Sequence, residues 1–468
     1  MTETSSKIRI LFVHNNFPAQ FRNIVKELAT RSEFELAAIG CETASNMPGV
    51  KLARYHTPAG EPAAHAFARR FEHECRRGEQ VMYAAHDLID AGFIPDLVFV
   101  HPGWGESLPL KTIFPEAKIV VYCEFFYRTS GQDFGFDPEF PASGVDGRIE
   151  LEVRNASTLL ALTQADRGLS PTYWQFNTYP QVFKSKIAVI HEGVDTEALR
   201  PDDYAALMLP TGRLTRGDRI VTYCARNLEP TRGFHIFMRA LPQILRSVPE
   251  TQILIVGGDD VSYGRRPPRD PDWKTAMLRE VGAQLDAGRV HFLGRLPYDA
   301  YVSALQISSV HVYLTYPFVL SWSLLEAMSC GCVVVASDTA PVREVVNGRN
   351  GVLAPFFSPD ILAEHVCSVL AAPEAHMAKR IAARRTIETR YDAQKVCIPE
   401  ALELIRSLVG SVEQRGQGEE KSVGDLQGKD KLANDRNEKR GAHQRSDNWV
   451  GTKILYGETT RSTTDLGD

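Results

Sequence analysis

The chain has 468 residues, too many for one ordinary hydrophobic core, so two domains of roughly 200 residues each are the natural division. Its 43% apolar and 24% charged residues fit a soluble globular protein, and its formal net charge of -5 supplies no overall field for nucleic acid. Of the eight cysteines only Cys330 and Cys332 form a close pair, so buried thiols in a reducing compartment are expected rather than a four-ligand zinc site. The start, MTETSSKIRILFV, has no long apolar stretch, and no segment reaches about 18 apolar residues. Neither secretion nor a membrane span is expected, and a cytoplasmic location is.

In chain order, IRILFV at 8–13 reads as a strand ending in the turn-like HNNFPAQF. Residues 20–30 then have helical spacing, with Phe21, Ile24, Val25 and Leu28 on one face. The unit recurs. Strands are expected at 35–39, 96–100, 118–123 and 186–190, and helices at 62–90 and 148–162. The polar stretch 197–218 reads as a linker, after which the pattern restarts. Strands are expected at 219–224, 252–256, 290–292, 310–314 and 332–336, with helices at 233–247, 298–307 and 321–330. Further helices are expected at 361–371, 376–388 and 396–409, and an exposed loop at 260–273. Short β-branched runs alternating with helices mean a parallel sheet covered on both faces, and two such series mean two α/β domains. Beyond about residue 411 the composition is too polar to offset the entropy of ordering, and a disordered tail is expected, with a packed patch at Trp449–Tyr456 left open.

In open parallel sheets ligands bind beyond the carboxyl ends of the strands, and two facing domains make a cleft there. The most informative such segment is RNLEPTRGF at 226–234. Arg226 and Arg232 beside a helix start suit a diphosphate, or are surface arginines bridged to Glu229. Gly257 and Gly258 end a strand, where glycines permit close backbone approach or simply a tight turn. His101, at another strand end, binds a ligand or serves its own loop. Nearby Trp104 stacks on an acceptor or packs inward. Glu124 emerges from an apolar strand, a costly place for a carboxylate unless a ligand or Arg128 satisfies it. The Asp-Pro-Asp at 270–272 lies in a proline-rich loop and reads as solvated rather than metal-binding.

The runs RNLEPTRGF, ILIVGGD, VHFLGRLPYDAYVSALQISSVHVYLTYPF and SLLEAMSCGCVVVASDTAPVREVVNGRNGVL resemble family 4 glycosyltransferases of the two-domain GT-B architecture. HNNFPAQFR and HPGWGESL are similar to a bacterial subgroup, and the likeness covers about residues 8–400. It implies two Rossmann-like domains facing a central cleft. The acceptor-side domain would span 1–200 and the nucleotide-sugar domain 201–385. A helical segment at 386–410 would pack back on the first domain, and the tail, 411–468, lies outside the likeness. It further implies a retaining hexosyltransferase that needs no metal. The donor would be a UDP- or GDP-sugar and the acceptor a glycan, a lipid-linked or another hydroxyl compound, in polysaccharide biosynthesis. No nucleic-acid partner is expected. Contact with the inner membrane face and self-association stay open.

By the same resemblance Arg226 and Arg232 match the basic pair on the diphosphate, although the second is more often lysine in relatives. Glu326 matches the glutamate that meets the ribose, and Val319, Leu320, Ser321 and Trp322 match the segment beside it. Relatives carry another glutamate eight positions earlier, near the donor sugar, where this chain has Phe318. Where many relatives have a histidine this chain has Glu124, which with His101 is a candidate to orient sugar or acceptor. The first loop lacks the relatives' glycines, so the side chains of Asn16 and Gln20 are expected to serve the acceptor instead. Phe318 also keeps two alternatives in view: a non-catalytic sugar-nucleotide-binding partner, or another GT-B-shaped enzyme such as a phosphorylase or epimerase.

Overall fold

The computed structural model describes residues 7–410 apart from 58, 61–63 and 143; the expected disordered tail and its Trp449–Tyr456 patch lie outside them. Two parallel sheets dominate. The first contains β1 (Ile8–Val13), β2 (Phe34–Cys41), β3 (Val50–Tyr55), β4 (Leu97–Val100), β5 (Lys118–Tyr122), β6 (Arg167–Ser170) and β7 (Ile187–Val189). Its order is β3-β2-β1-β4-β5-β6-β7. A short antiparallel hairpin follows, β8 (Ala206–Leu209) and β9 (Gly212–Thr215), inside the stretch expected to be a linker. The second sheet contains β10 (Ile220–Asn227), β11 (Gln252–Gly258), β12 (Val290–Gly294), β13 (Val310–Tyr313), β14 (Val333–Ser337) and β15 (Val352–Ala354). Its order is β12-β11-β10-β13-β14-β15.

The central strands β4, β13 and β14 are buried along their whole length, because helices cover both faces. That is why their sequences, apart from the buried His311 and Ser337, run apolar instead of alternating. Three strands escape this signal. β3 is an edge strand that carries Lys51 and Arg54 and is only half-buried. β15 is three residues long. β6 reads RGLS, and its Gly168 is a packing requirement: a Cβ there would meet Ile187 at 2.7 Å and the Cys123 Sγ at 2.8 Å.

Strand order reverses between β1 and β4 in the first sheet and between β10 and β13 in the second. These switch points open crevices at the carboxyl ends, where His14, His101, Arg226 and Thr315 stand. The helix Ile398–Val409 returns to the first sheet. Its Ile398, Leu402, Ile405 and Val409 share one core with Ile10, Phe12 and Leu36.

A second connection runs the other way. After β5 the chain makes a strap over residues 129–141 whose Phe136 and Phe140 pack against the core of the second sheet. Asp137 in this strap is fully buried and accepts from Tyr316 Oη at 2.6 Å and His235 Nε2 at 3.1 Å. Glu139 pairs with Arg239 through both carboxylate oxygens, at 2.7 and 2.8 Å. Asp137→Ala leaves a buried phenol and imidazole without their acceptor. The expected loss is about 2 kcal/mol, read as a lower urea midpoint. An unchanged midpoint would mean that the strap carries no weight in the fold.

Candidate functional site

A cavity of ≈ 610 Å³ opens between the carboxyl ends of the two sheets. One wall belongs to the first half and includes Gln20, Tyr122, Glu124, His191 and Glu192. The other includes Arg226, Arg232, Gly257, Tyr263, Arg295, Tyr301, Leu320, Ser321 and Glu326.

The arginine segment is built from β10 outward. After β10, Pro230–Arg232 forms a single tight helical turn, and Gly233 takes a left-handed φ of 70° before the helix Phe234–Ser247 begins. This turn buries Arg232 to 7% exposure, whereas Arg226 stays exposed at the cavity. Arg232 Nη1 donates to Thr315 Oγ1 at 2.9 Å and to the Val319 carbonyl at 2.8 Å. The rings of Tyr263 and Phe318 lie 5.3 and 5.7 Å from its guanidinium carbon. Arg232 is thus an oriented cation with its remaining N–H groups on Nε and Nη2.

Glu229 does not bridge the two arginines. It is buried and accepts from the backbone N–H groups of Ser262, Tyr263 and Gly264, the closest at 2.9 Å. This overturns the reading of 260–273 as a wholly exposed loop. Its first turn is pinned by Glu229, Tyr263 lines the cavity, and Trp273 is buried with its indole donating to the Arg265 carbonyl at 2.8 Å. Asp270 pairs with Arg279, and Asp272 caps the helix Trp273–Val281.

Glu326 lies on the helix Trp322–Ser329, which begins at the N-cap Ser321. Leu324, Leu325 and Met328 of that helix are core residues, while Glu326 reaches the cavity and accepts from Tyr301 Oη. Burial raises its carboxyl above the usual range; the Tyr301 hydrogen bond and the charge of Arg22 only partly oppose this. Val319 also lines the cavity. Phe318 and Gly258 do not. Phe318 is buried against Phe125 of the first half, ring centroids 4.7 Å apart, and against Tyr263 at 4.8 Å. The phenylalanine that stands in the glutamate's place therefore makes an apolar contact between the two halves.

On the first wall Glu124 is not paired with Arg128, which donates to the carbonyls of Asn177 and Tyr179. Glu124 Oε1 accepts from Gln20 at 2.9 Å, and Oε2 lies 3.2 Å from His101 Nε2. His101 Nδ1 already accepts from the Gly103 N–H at 3.1 Å, so Nε2 carries the proton toward Glu124. Burial pushes the Glu124 carboxyl up, but its bonds to His101 and Gln20 together outweigh this and hold it below the usual range. His14 sits behind, its ring 5.2 Å from that of His101. Burial and the neighbouring His101 lower its pKa to about 3, so it stays neutral. Trp104 stacks on His101 at 4.4 Å and does not line the cavity. Asn16 is exposed and accepts from Thr43. Of the expected acceptor residues, only Gln20 faces the cavity.

Sequence reasoning passed over His191 and Glu192, which follow β7, and over Arg22, Tyr263 and Arg295. The strand-end rule, applied to β7, would have found the first two. Among the described residues one acidic and histidine grouping, Asp137, Glu139 and His235, is close enough to hold a metal. Asp137 and Glu139 lie in the strap and His235 on the helix Phe234–Ser247, and Glu139 is already neutralised by Arg239, so the donor set does not suit a divalent cation. No helix among the described residues is long and apolar enough to cross a membrane.

Two facing Rossmann-like domains with a polar cleft define the GT-B class. Residues 32–199 match a model described as glycosyl transferase family 4 group, and residues 218–372 match one described as glycosyl transferases group 1. The chain belongs to the family 4 glycosyltransferases. It is 29% identical over 224 residues to phosphatidyl-myo-inositol mannosyltransferase of Mycobacterium tuberculosis, covering 47% of this chain and 53% of that one. It is 26% identical over 226 residues to D-inositol 3-phosphate glycosyltransferase of Segniliparus rotundus, covering 47% and 46%. The matches thus span about half the length of these curated relatives. Among solved structures, sucrose-phosphate synthase from Thermosynechococcus elongatus superposes with a TM-score of 0.65 at 17% identity, covering 86% of this chain and 100% of that one. Anabaena HepE in complex with UDP and glucose superposes at 0.62 with 15% identity and the same coverage. At these identities the likeness concerns the fold.

Proposed function

We propose that this protein transfers a hexose from a UDP- or GDP-sugar to a hydroxyl acceptor with retention at the anomeric carbon. The observation that carries the reading is Arg232: a buried, oriented guanidinium on one wall of a cavity whose other wall presents the ionised Glu124. Arg226 and Arg232 take the diphosphate, and Glu326 takes the ribose. As the bond from the anomeric carbon to the phosphate oxygen lengthens, the arginines stabilise the charge gathering on that oxygen. The acceptor oxygen forms its bond on the same face and passes its proton to the leaving phosphate. Glu124, oriented by His101 and Gln20, stabilises the positive charge on the sugar ring. Closure of the two halves excludes water from the activated sugar. The names of the two relatives print a phosphatidyl-myo-inositol and a D-inositol 3-phosphate, which supports a polyol hydroxyl as the acceptor group.

The test is a screen of UDP- and GDP-sugars for thermal stabilisation, followed by nucleoside diphosphate release. If no donor binds, the reading fails. The buried Phe318 favours a second reading, a sugar-nucleotide binder without turnover, which predicts stabilisation but no release with any acceptor. Glu326→Ala removes the carboxylate proposed for the ribose. The expected result is about tenfold weaker nucleotide binding in calorimetry, and unchanged affinity would sink that role.

A further inference from the structure

The two walls of the cavity differ in charge. Arg226, Arg232 and Arg295 stand on the second-half wall, while the first-half wall carries the carboxylates Glu124 and Glu192 and one cation, Arg22. Arg22 is engaged toward the second half: its guanidinium lies 5.7 Å from the ring centroid of Trp322, and its charge acts on Glu326. The part of the first wall around Gln20, Tyr122, Glu124 and Glu192 is therefore acceptor-rich and anionic.

Glu192 has no part in the chemistry described above, yet it is nearly buried, its side chain 10% exposed. Its Oε1 accepts from the Trp322 indole at 3.2 Å. Its Oε2 lies 3.3 Å from His191 Nε2 without a well-formed hydrogen bond, and the nearby Tyr122 hydroxyl is the other donor facing this carboxylate, so part of its accepting capacity stays unused. A carboxylate has about four lone-pair positions, and burying them unused is costly. A hydroxyl donor arriving in the cavity relieves that cost. A phosphate ester does the opposite, bringing more negative charge beside two carboxylates in a partly desolvated space.

We infer that the first-half wall receives an uncharged, hydroxyl-rich acceptor, a neutral sugar, and that Glu192 determines this specificity by accepting from one of its hydroxyls. The inference rests on the transferase reading and goes beyond it by naming the acceptor class. The full chain is assayed with whichever UDP- or GDP-sugar stabilises it. The acceptors are methyl glucoside, methyl mannoside and methyl galactoside, each beside its 6-phosphate ester. At least one neutral glycoside is expected to raise nucleoside diphosphate release above the donor-alone rate. Its phosphate ester is expected to have a kcat/KM at least about tenfold lower. Glu192→Gln keeps the shape and removes the charge, so the ratio of neutral to phosphorylated kcat/KM falls at least about fivefold while the donor KM holds. Because that readout is a ratio within one variant, partial loss of folded protein does not mimic it. Equal or better use of the phosphate esters, no stimulation by any neutral glycoside, or an unchanged ratio in Glu192→Gln overturns the inference. Failure of every donor to stabilise the protein instead removes the transferase reading, and this inference with it.

Discussion

Arg232→Ala is expected to lower kcat by about 100- to 1,000-fold, the cost of removing one preorganised stabiliser of transition-state charge. The expectation comes from how the side chain is held. Thr315 and the Val319 carbonyl fix Nη1, and the Tyr263 and Phe318 rings flank the guanidinium, so little reorganisation is needed when charge develops. Exposed Arg226 has no comparable support and is expected to matter more for donor KM than for kcat. Arg232→Lys is the informative companion, because relatives more often carry lysine there. An ammonium keeps the charge but loses the planar fork, so an intermediate kcat is expected, within roughly tenfold of the parent. Initial rates at saturating donor check both, with thermal melting to confirm folding. An alanine variant within threefold of the parent would remove Arg232 from the chemistry.

The parts of this site that local sequence could show are those whose chemistry is written in consecutive residues. Arg226 ends a strand and Arg232 precedes a helix, and Glu326 is the one charged residue of its helix; each reaches the cavity. The parts that stayed hidden depend on long-range partners. Nothing in the sequence near Glu229 says that it will gather the backbone of Ser262–Gly264, 33 to 35 residues away, and so bring Tyr263 over Arg232. Nothing near Glu124 says that Gln20, 104 residues earlier, is its donor. The fold follows the same division. Fully covered central strands announce themselves as apolar runs, whereas β3 and β6 are strands only because neighbours supply their partners.

Phe318 illustrates how a local departure acquires meaning from its surroundings. As a bare substitution for a glutamate it suggests lost sugar binding. In the structure its ring joins Phe125, Tyr263 and Arg232, so it supports the cation and bridges the halves. A glutamate buried in that aromatic setting would sit against Arg232 and offset the charge that the proposed function assigns to a diphosphate. The aromatic residue leaves Arg232 without a carboxylate neighbour at that position.

The largest expected effect on stability comes from Gly233→Ala. Gly233 holds a φ of 70°, and a Cβ there would lie 2.3 Å from Leu314 Cβ, well inside contact distance. The left-handed backbone costs a non-glycine residue about 1 kcal/mol, and overpacking adds about 1–3 kcal/mol, so a loss of about 3 kcal/mol is expected. The urea midpoint reads it. The clash cannot be relieved by shortening the neighbour, since the nearest atom is Leu314 Cβ itself; Leu314→Ala in the same chain should therefore not restore stability, whereas Leu314→Gly should remove that contact. Leu314 is followed by Thr315, which holds Arg232, and Gly233 follows Arg232 directly. Any shift that relieves the clash therefore moves the guanidinium. Gly233→Ala should lower kcat even in the fraction that stays folded, measured at a temperature well below its melting point. Full activity per folded molecule would mean that the arginine tolerates displacement, contrary to a role that depends on its orientation.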